Sequence, residues 1–148
     1  MPEKETLRRA AADRRAGKSA STQAGEFVRE EMHHIREGKH GAKSAKQAIA
    51  IGLSKARRAG VALKAPAKGE ASARTREGAK RALAAGKRGA HPSPARSRAM
   101  SRKLRKEGHA AASHLALSRH AHAAARKRTK SERSNAARKA ARTRAGEH

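Results

Sequence analysis

The 148-residue chain has no cysteine, tryptophan or tyrosine, and Phe27 is its single aromatic residue. Without cysteine it can form no disulfide, run no thiol chemistry and build no cysteine-ligated zinc finger. Acid is scarce as well: 12 Asp and Glu face 38 Lys and Arg, and Asp13 is the one aspartate. Paired-carboxylate chemistry and a Ser–His–Asp arrangement find no context here, so the chain is expected not to be an enzyme and to need no cofactor. No apolar run reaches about 18 residues, so no membrane-spanning helix is expected. The opening MPEKETLRRAAADRR places acids where a secretory signal has its apolar stretch, and no signal is read there.

What remains is alanine and positive charge. The formal net charge is +26, and most of the 36% hydrophobic content is alanine. Alanine favours helix but buries little area. Leu, Ile, Val and Phe together fall well below the ~20% under which a highly charged chain tends to disorder. The expected fold is all-α and partly disordered: a small αα-hairpin nucleus flanked by basic, conditionally helical segments. So large a charge repels itself and calls for a polyanion as partner, nucleic acid above all.

Four segments are read along the chain. Residues 1–20 form a basic N-terminal arm, helical up to Gly17, with Leu7 its single large apolar residue. Residues 21–63 form the hairpin. Ser21 or Thr22 caps its first helix, which gathers Phe27, Val28, Met32 and Ile35 on one face and stops at Gly38. KSAKQAIAIGLSKARRAG follows, with Ser44 and Gln47 at capping-box spacing and Gly60 as the stop. Ala45, Ile49, Gly52, Leu53 and Ala56 share one face of that helix, which packs Ile49 and Leu53 against Phe27, Val28, Met32 and Ile35 as the hairpin core. Ala48, Gly52 and Ala56, spaced by four, form a ridge of small residues that lets two backbones approach. Val61 and Leu63 can fold back over the end. Such a hairpin alone is marginal and needs a dimer partner, further helices or a ligand. Ile51 lies off the seam and is the candidate partner surface. Residues 64–93 read as a linker, and residues 94–148 as a basic Ala/Lys/Arg-rich tail in which Ser93–Pro94 and Ser113 start helices. Residues 64–148 hold 24 basic and 5 acidic side chains. Residues 32–60 and 100–128 also echo one another: Met, an aliphatic, Glu-Gly, a His-containing stretch, a Ser cap, then Leu-Ser-Lys/Arg.

Two motifs invite sharper chemistry. AGKSAST (16–22) has the Gly-Lys-Ser ending of a phosphate-binding loop but lacks its first glycine and a preceding strand. Nine histidines suggest metal, yet no two share the i, i+4 spacing that puts imidazoles on one helix face, no cysteine or acid cluster joins them, and the positive surroundings oppose a cation, so no metal site is expected. The function is assigned to the bases: Lys55, Arg57, Arg58, Arg96, Arg98, Arg102, Lys103, Arg105, Lys106, Arg126, Lys127, Arg128, Lys130, Arg138, Lys139, Arg142 and Arg144 are the candidate phosphate-binding residues of a non-sequence-specific, compacting duplex-DNA binder. Modules for RNA and single strands stack bases on aromatics, and the one aromatic is claimed by the core, which favours duplex DNA.

STQAGEFVREEMHHIREGKHGAKSAKQAIAIGLSKARRAGV (21–61) resembles a family of small basic proteobacterial proteins of unknown function, often labelled DNA-binding, histone-like or plasmid-stabilisation. The tail resembles the Ala/Lys/Arg tails of linker histones, and HPSPARS is similar to their Ser-Pro-x-basic elements, although a helix cap explains it equally well. The resemblance implies bacterial origin and supplies no site residues; the duplex-DNA reading places the protein in the cytoplasm, at the bacterial nucleoid, as an expectation. Two other readings stay open: an RNA- or ribosome-associated basic protein, and a partner-binding module acting through the hairpin, including as a homodimer. A membrane surface is not expected, because the tail helices lack a sustained apolar face.

Overall fold

The computed structural model describes residues 1–146, so the last two positions of the tail lie outside the described residues. It is all-α. Seven helices follow in order: α1 (Lys4–Arg15), α2 (Ala20–Arg36), α3 (Ala45–Arg58), α4 (Ala73–Lys87), α5 (Pro94–Arg105), α6 (His114–Arg126) and α7 (Lys130–Arg144), with a 3-10 turn at Ala110–Ala112. No β-strand forms among the described residues. The chain divides into two compact units, Met1–Ser113 and a second that begins at His114.

In the first unit α2 and α3 pair as the hairpin, α1 packs on α2, and α4 packs on α3. The helix starts are local chemistry. Ser44 accepts the Gln47 N–H at 3.2 Å, and the Gln47 side chain reaches back to the Lys43 N–H at 2.6 Å, one residue beyond the reciprocal bond of a capping box. Pro94 sits in the first turn of α5, where a missing N–H costs nothing, behind the Ser93 cap. The cap of α2 is Ser19, not Ser21 or Thr22: its hydroxyl accepts the Thr22 N–H at 3.3 Å and the helix starts earlier than expected. Gly38 and Gly60 end α2 and α3 with φ of 75° and 92°, the left-handed conformation that glycine adopts without strain.

The hairpin closes on small residues. Ala45, Ala48, Gly52 and Ala56 are the buried apolar row of α3, while Ile49, Ile51 and Leu53 are half-buried. A Cβ on Gly52 would stand 2.7 Å from the Val28 Cα, so the two backbones touch at this point. On α2, Phe27, Met32 and Ile35 are buried and Val28 is half-buried. Ala10 of α1 joins Ala24, Phe27, Ala56 and Val61 in one cluster, with Leu53 and Leu63 packed against it. Thus α1 is pinned by Ala10 and the buried Thr6, whereas Leu7 stays exposed.

The segment read as a linker contains α4, whose Ala79 and Ala82 are buried. The end of α5 then returns to the hairpin loop. The Gly41 N–H donates to the Leu104 carbonyl at 2.9 Å, the Ala42 N–H to Gly108 at 3.0 Å, and the Arg36 Nε–H to Ala112 at 2.9 Å. These bonds join the two stretches that echo each other in sequence. In the second unit neither α6 nor α7 buries a side chain; α7 opens with a full capping box between Thr129 and Glu132.

Candidate functional site

Two groups of charged residues stand apart in their surroundings. The first is the basic surface. From α5 onward Arg96, Arg98, Arg102, Lys103, Arg105 and Lys106 are exposed, as are Arg126 at the end of α6, Lys127 and Arg128 between α6 and α7, and Lys130, Arg138, Lys139, Arg142 and Arg144 on α7. Among the described residues, no Lys or Arg beyond Lys80 comes within ion-pair distance of a carboxylate. Among the described residues, Arg128 acts on Glu132 at longer range: hydrogen bonds from Thr129 lower the Glu132 pKa first, and the Arg128 charge adds to them.

Three of the expected phosphate-binding residues lie on α3, and two of them are engaged inside the fold. Arg57 is buried; its Nε–H donates to the Leu63 carbonyl at 3.1 Å and an Nη2–H to Lys64 at 3.0 Å. It ties down the chain that leaves α3, and burial pulls its pKa below the ordinary arginine value. Lys55 donates to Glu31 Oε1 and lies 3.5 Å from Glu30 Oε1, both carboxylates being buried. Only Arg58 of the three is exposed.

The second group surrounds that buried pair. Glu30 Oε2 accepts the backbone N–H of Glu3 at 3.0 Å. Glu3 in turn accepts from His34 Nε2 at 2.8 Å and from Lys39 Nζ at 3.3 Å. The hydrogen bond from His34, then that from Lys39, holds the Glu3 carboxyl below its ordinary value. Lys39 also meets Glu37 at 3.1 Å, which lowers the Glu37 pKa and raises that of Lys39. Glu31 and His34 are three apart on α2, and the loop after Gly38 brings His40 back to them, the His34 and His40 rings meeting edge to face at 5.9 Å. One donor atom from each of Glu31, His34 and His40 lies within 4.8 Å of the others.

The histidines were not expected to form such a group, because no two stand at i, i+4 and no acid cluster is read beside them, whereas the fold brings a single buried carboxylate, Glu31, to two of them. The signal that could have found it is Glu31-x-x-His34, an i, i+3 pair on one helix face, followed by a histidine just past the glycine stop. Acids offset the bases over residues 1–37, which hold eight Lys and Arg against seven Asp and Glu, while Lys39 and Lys55 bring two ammonium groups to the carboxylates of Glu3 and Glu31.

Residues 14–69 match the model of a family of unknown function, DUF6496. The DUF6496 match runs from the end of α1 through α2 and α3 and stops before α4, so it contains Glu31, His34, His40, Lys55 and Arg57 and leaves out the exposed basic residues of α5 to α7. It agrees with the family resemblance over 21–61 and assigns no activity. No curated protein and no solved structure matches the chain. No helix among the described residues is long and apolar enough to cross a membrane.

Proposed function

We propose that this is a non-catalytic, non-sequence-specific binder of duplex DNA, compacting it by phosphate neutralisation in the bacterial nucleoid. The observation that carries the reading is the placement of charge. Residues 64–148 hold 24 of the 38 Lys and Arg against 5 acids, and beyond Lys80 none of the described ones comes within ion-pair distance of a carboxylate. Exposed, unpaired arginines and lysines on short helices suit a phosphate backbone, which accepts bidentate guanidinium contacts and releases condensed counterions on binding. Phosphate also removes the repulsion between neighbouring cations on α5 and α7, so binding and helix formation reinforce each other. The burial of Phe27 leaves no aromatic platform for stacking unpaired bases, which favours duplex over single strand. Arg58 and the bases from Arg96 onward supply the contacts in this reading; Lys55 and Arg57 hold the hairpin.

The test is a duplex-DNA titration of the full chain at several salt concentrations, with structured RNA as competitor. The expected result is a linear fall of log affinity with log salt, little dependence on sequence, and DNA preferred over RNA at fixed salt. A flat salt profile sinks the proposal. Preference for the RNA moves the protein to the RNA-associated class.

A further inference from the structure

We propose that Glu31, His34 and His40 form a binding site for a divalent transition-metal ion of the zinc class. The ligand types suit such an ion: two imidazoles and one carboxylate, with a fourth position left for water or another donor.

The geometry points there through three separate facts. First, Glu31 is fully buried, and while its Oε1 accepts from the Lys55 ammonium, its Oε2 has no hydrogen-bond partner among the described residues. A buried carboxylate oxygen without a donor is costly unless something positive completes it. Second, His40 Nε2 lies 3.2 Å from that oxygen without making a hydrogen bond to it. The Nδ1 of the same ring faces the Gly41 carbonyl at 3.1 Å. A carbonyl can only accept, so Nδ1 carries the proton and, in the neutral ring, Nε2 carries the lone pair. With the ring neutral, two lone-pair-bearing atoms stand side by side and repel, whereas a protonated ring would pair with the carboxylate. A cation that both can address removes the conflict. Two ligands bound at about 2.0–2.2 Å with a tetrahedral angle stand about 3.3–3.6 Å apart, slightly more than the 3.2 Å found here. Third, His34 is oriented as a metal-ligating imidazole usually is: one ring nitrogen is held by a carboxylate, that of Glu3 at 2.8 Å. The ionised carboxylate accepts the hydrogen bond of Nε2–H, which leaves the lone pair of the neutral ring on Nδ1.

Charge does not forbid the ion. Three carboxylates, Glu3, Glu30 and Glu31, meet two ammonium groups, Lys39 and Lys55, around the site. The loop that carries His40 is fixed from outside by the Gly41 and Ala42 bonds to Leu104 and Gly108. A Cβ at Gly41 would lie 2.0 Å from the Glu107 carbonyl oxygen, so this docking requires glycine. The site is therefore built from α2, its loop and the end of α5, and it does not depend on whether the basic surface binds DNA.

The experiment is calorimetric titration of the full chain with Zn2+ alone, beside His34→Gln, His40→Gln and a triple His114→Gln, His120→Gln, His122→Gln variant. The expected result is one ion per chain, bound roughly tenfold or more weaker by each of the first two variants and unchanged by the third. No saturable uptake by the unmodified chain, or loss of uptake only in the triple variant, overturns the proposal. Should either single variant fail to fold, the unmodified chain decides by nuclear magnetic resonance. The His34 and His40 ring signals shift together at the first equivalent of Zn2+ if the site is real. If those of His114, His120 and His122 shift first, it is not.

Discussion

Arg57 and Arg58 are neighbours with opposite fates. The guanidinium of Arg57 is turned inward onto two carbonyls beyond the end of α3, while Arg58 is exposed. Their sequence context is the same, and nothing in a helical wheel says which of two adjacent bases will find a carbonyl from the returning chain. The expected outcome of Arg57→Gln is a loss of about 1.5–3 kcal/mol in chemical denaturation, the worth of hydrogen bonds to a charged group, with DNA affinity unchanged once the protein is folded. Lys55→Met leaves Glu30 and Glu31 buried without their cation and should cost about 3–5 kcal/mol in the same measurement. A variant that instead keeps its stability and weakens DNA binding would return that residue to the phosphate-binding set. Composition counted Lys55 and Arg57 as surface charge because it cannot see the partners that fold over them.

At the scale of the element, the α2–α3 pair was legible to an unusual degree. Its caps and stops are written in Ser44, Gln47, Gly38 and Gly60, and the four-residue spacing of Ala48, Gly52 and Ala56 marks the contact row. The aliphatics Ile49 and Leu53 drew the eye first, yet they are half-buried at the sides of that row, because two backbones at close approach leave no room for large side chains between them. Gly52→Ala tests this. Alanine would raise helix propensity by about 1 kcal/mol, but its methyl would press on the Val28 backbone. Overpacking of this kind costs about 1–3 kcal/mol, so a lower denaturation midpoint is expected despite the better helix former. The docking of α1 was less legible: an alanine, Ala10, and a threonine, Thr6, do what a larger apolar residue usually does, and alanines are too common in this chain to signal burial.

For the molecule as a whole, charge is distributed by role. The acids are concentrated where the helices pack, with seven of the twelve in residues 1–37, and the excess of bases lies beyond residue 63. That division was readable from the sequence, as was the all-α architecture. What was not readable was the convergence of Glu31, His34 and His40, which depends on how tightly the chain turns after Gly38 and on the far segment that clasps the turn. The charge division carries a quantitative expectation. Replacing Arg126, Lys127, Arg128, Lys130, Arg138, Lys139, Arg142 and Arg144 with Gln should make the slope of log affinity against log salt shallower by up to about 7, near 0.9 for each phosphate no longer neutralised. An unchanged slope in that titration removes the second unit from the DNA-binding surface. The sealed position of Phe27, the single aromatic residue, has a practical sequel. A chain without tryptophan or tyrosine is almost transparent in the near ultraviolet, whereas nucleobases absorb strongly there. Any such absorbance that travels with the purified protein is therefore a direct readout of bound nucleic acid, and its disappearance in high salt can be followed without a label.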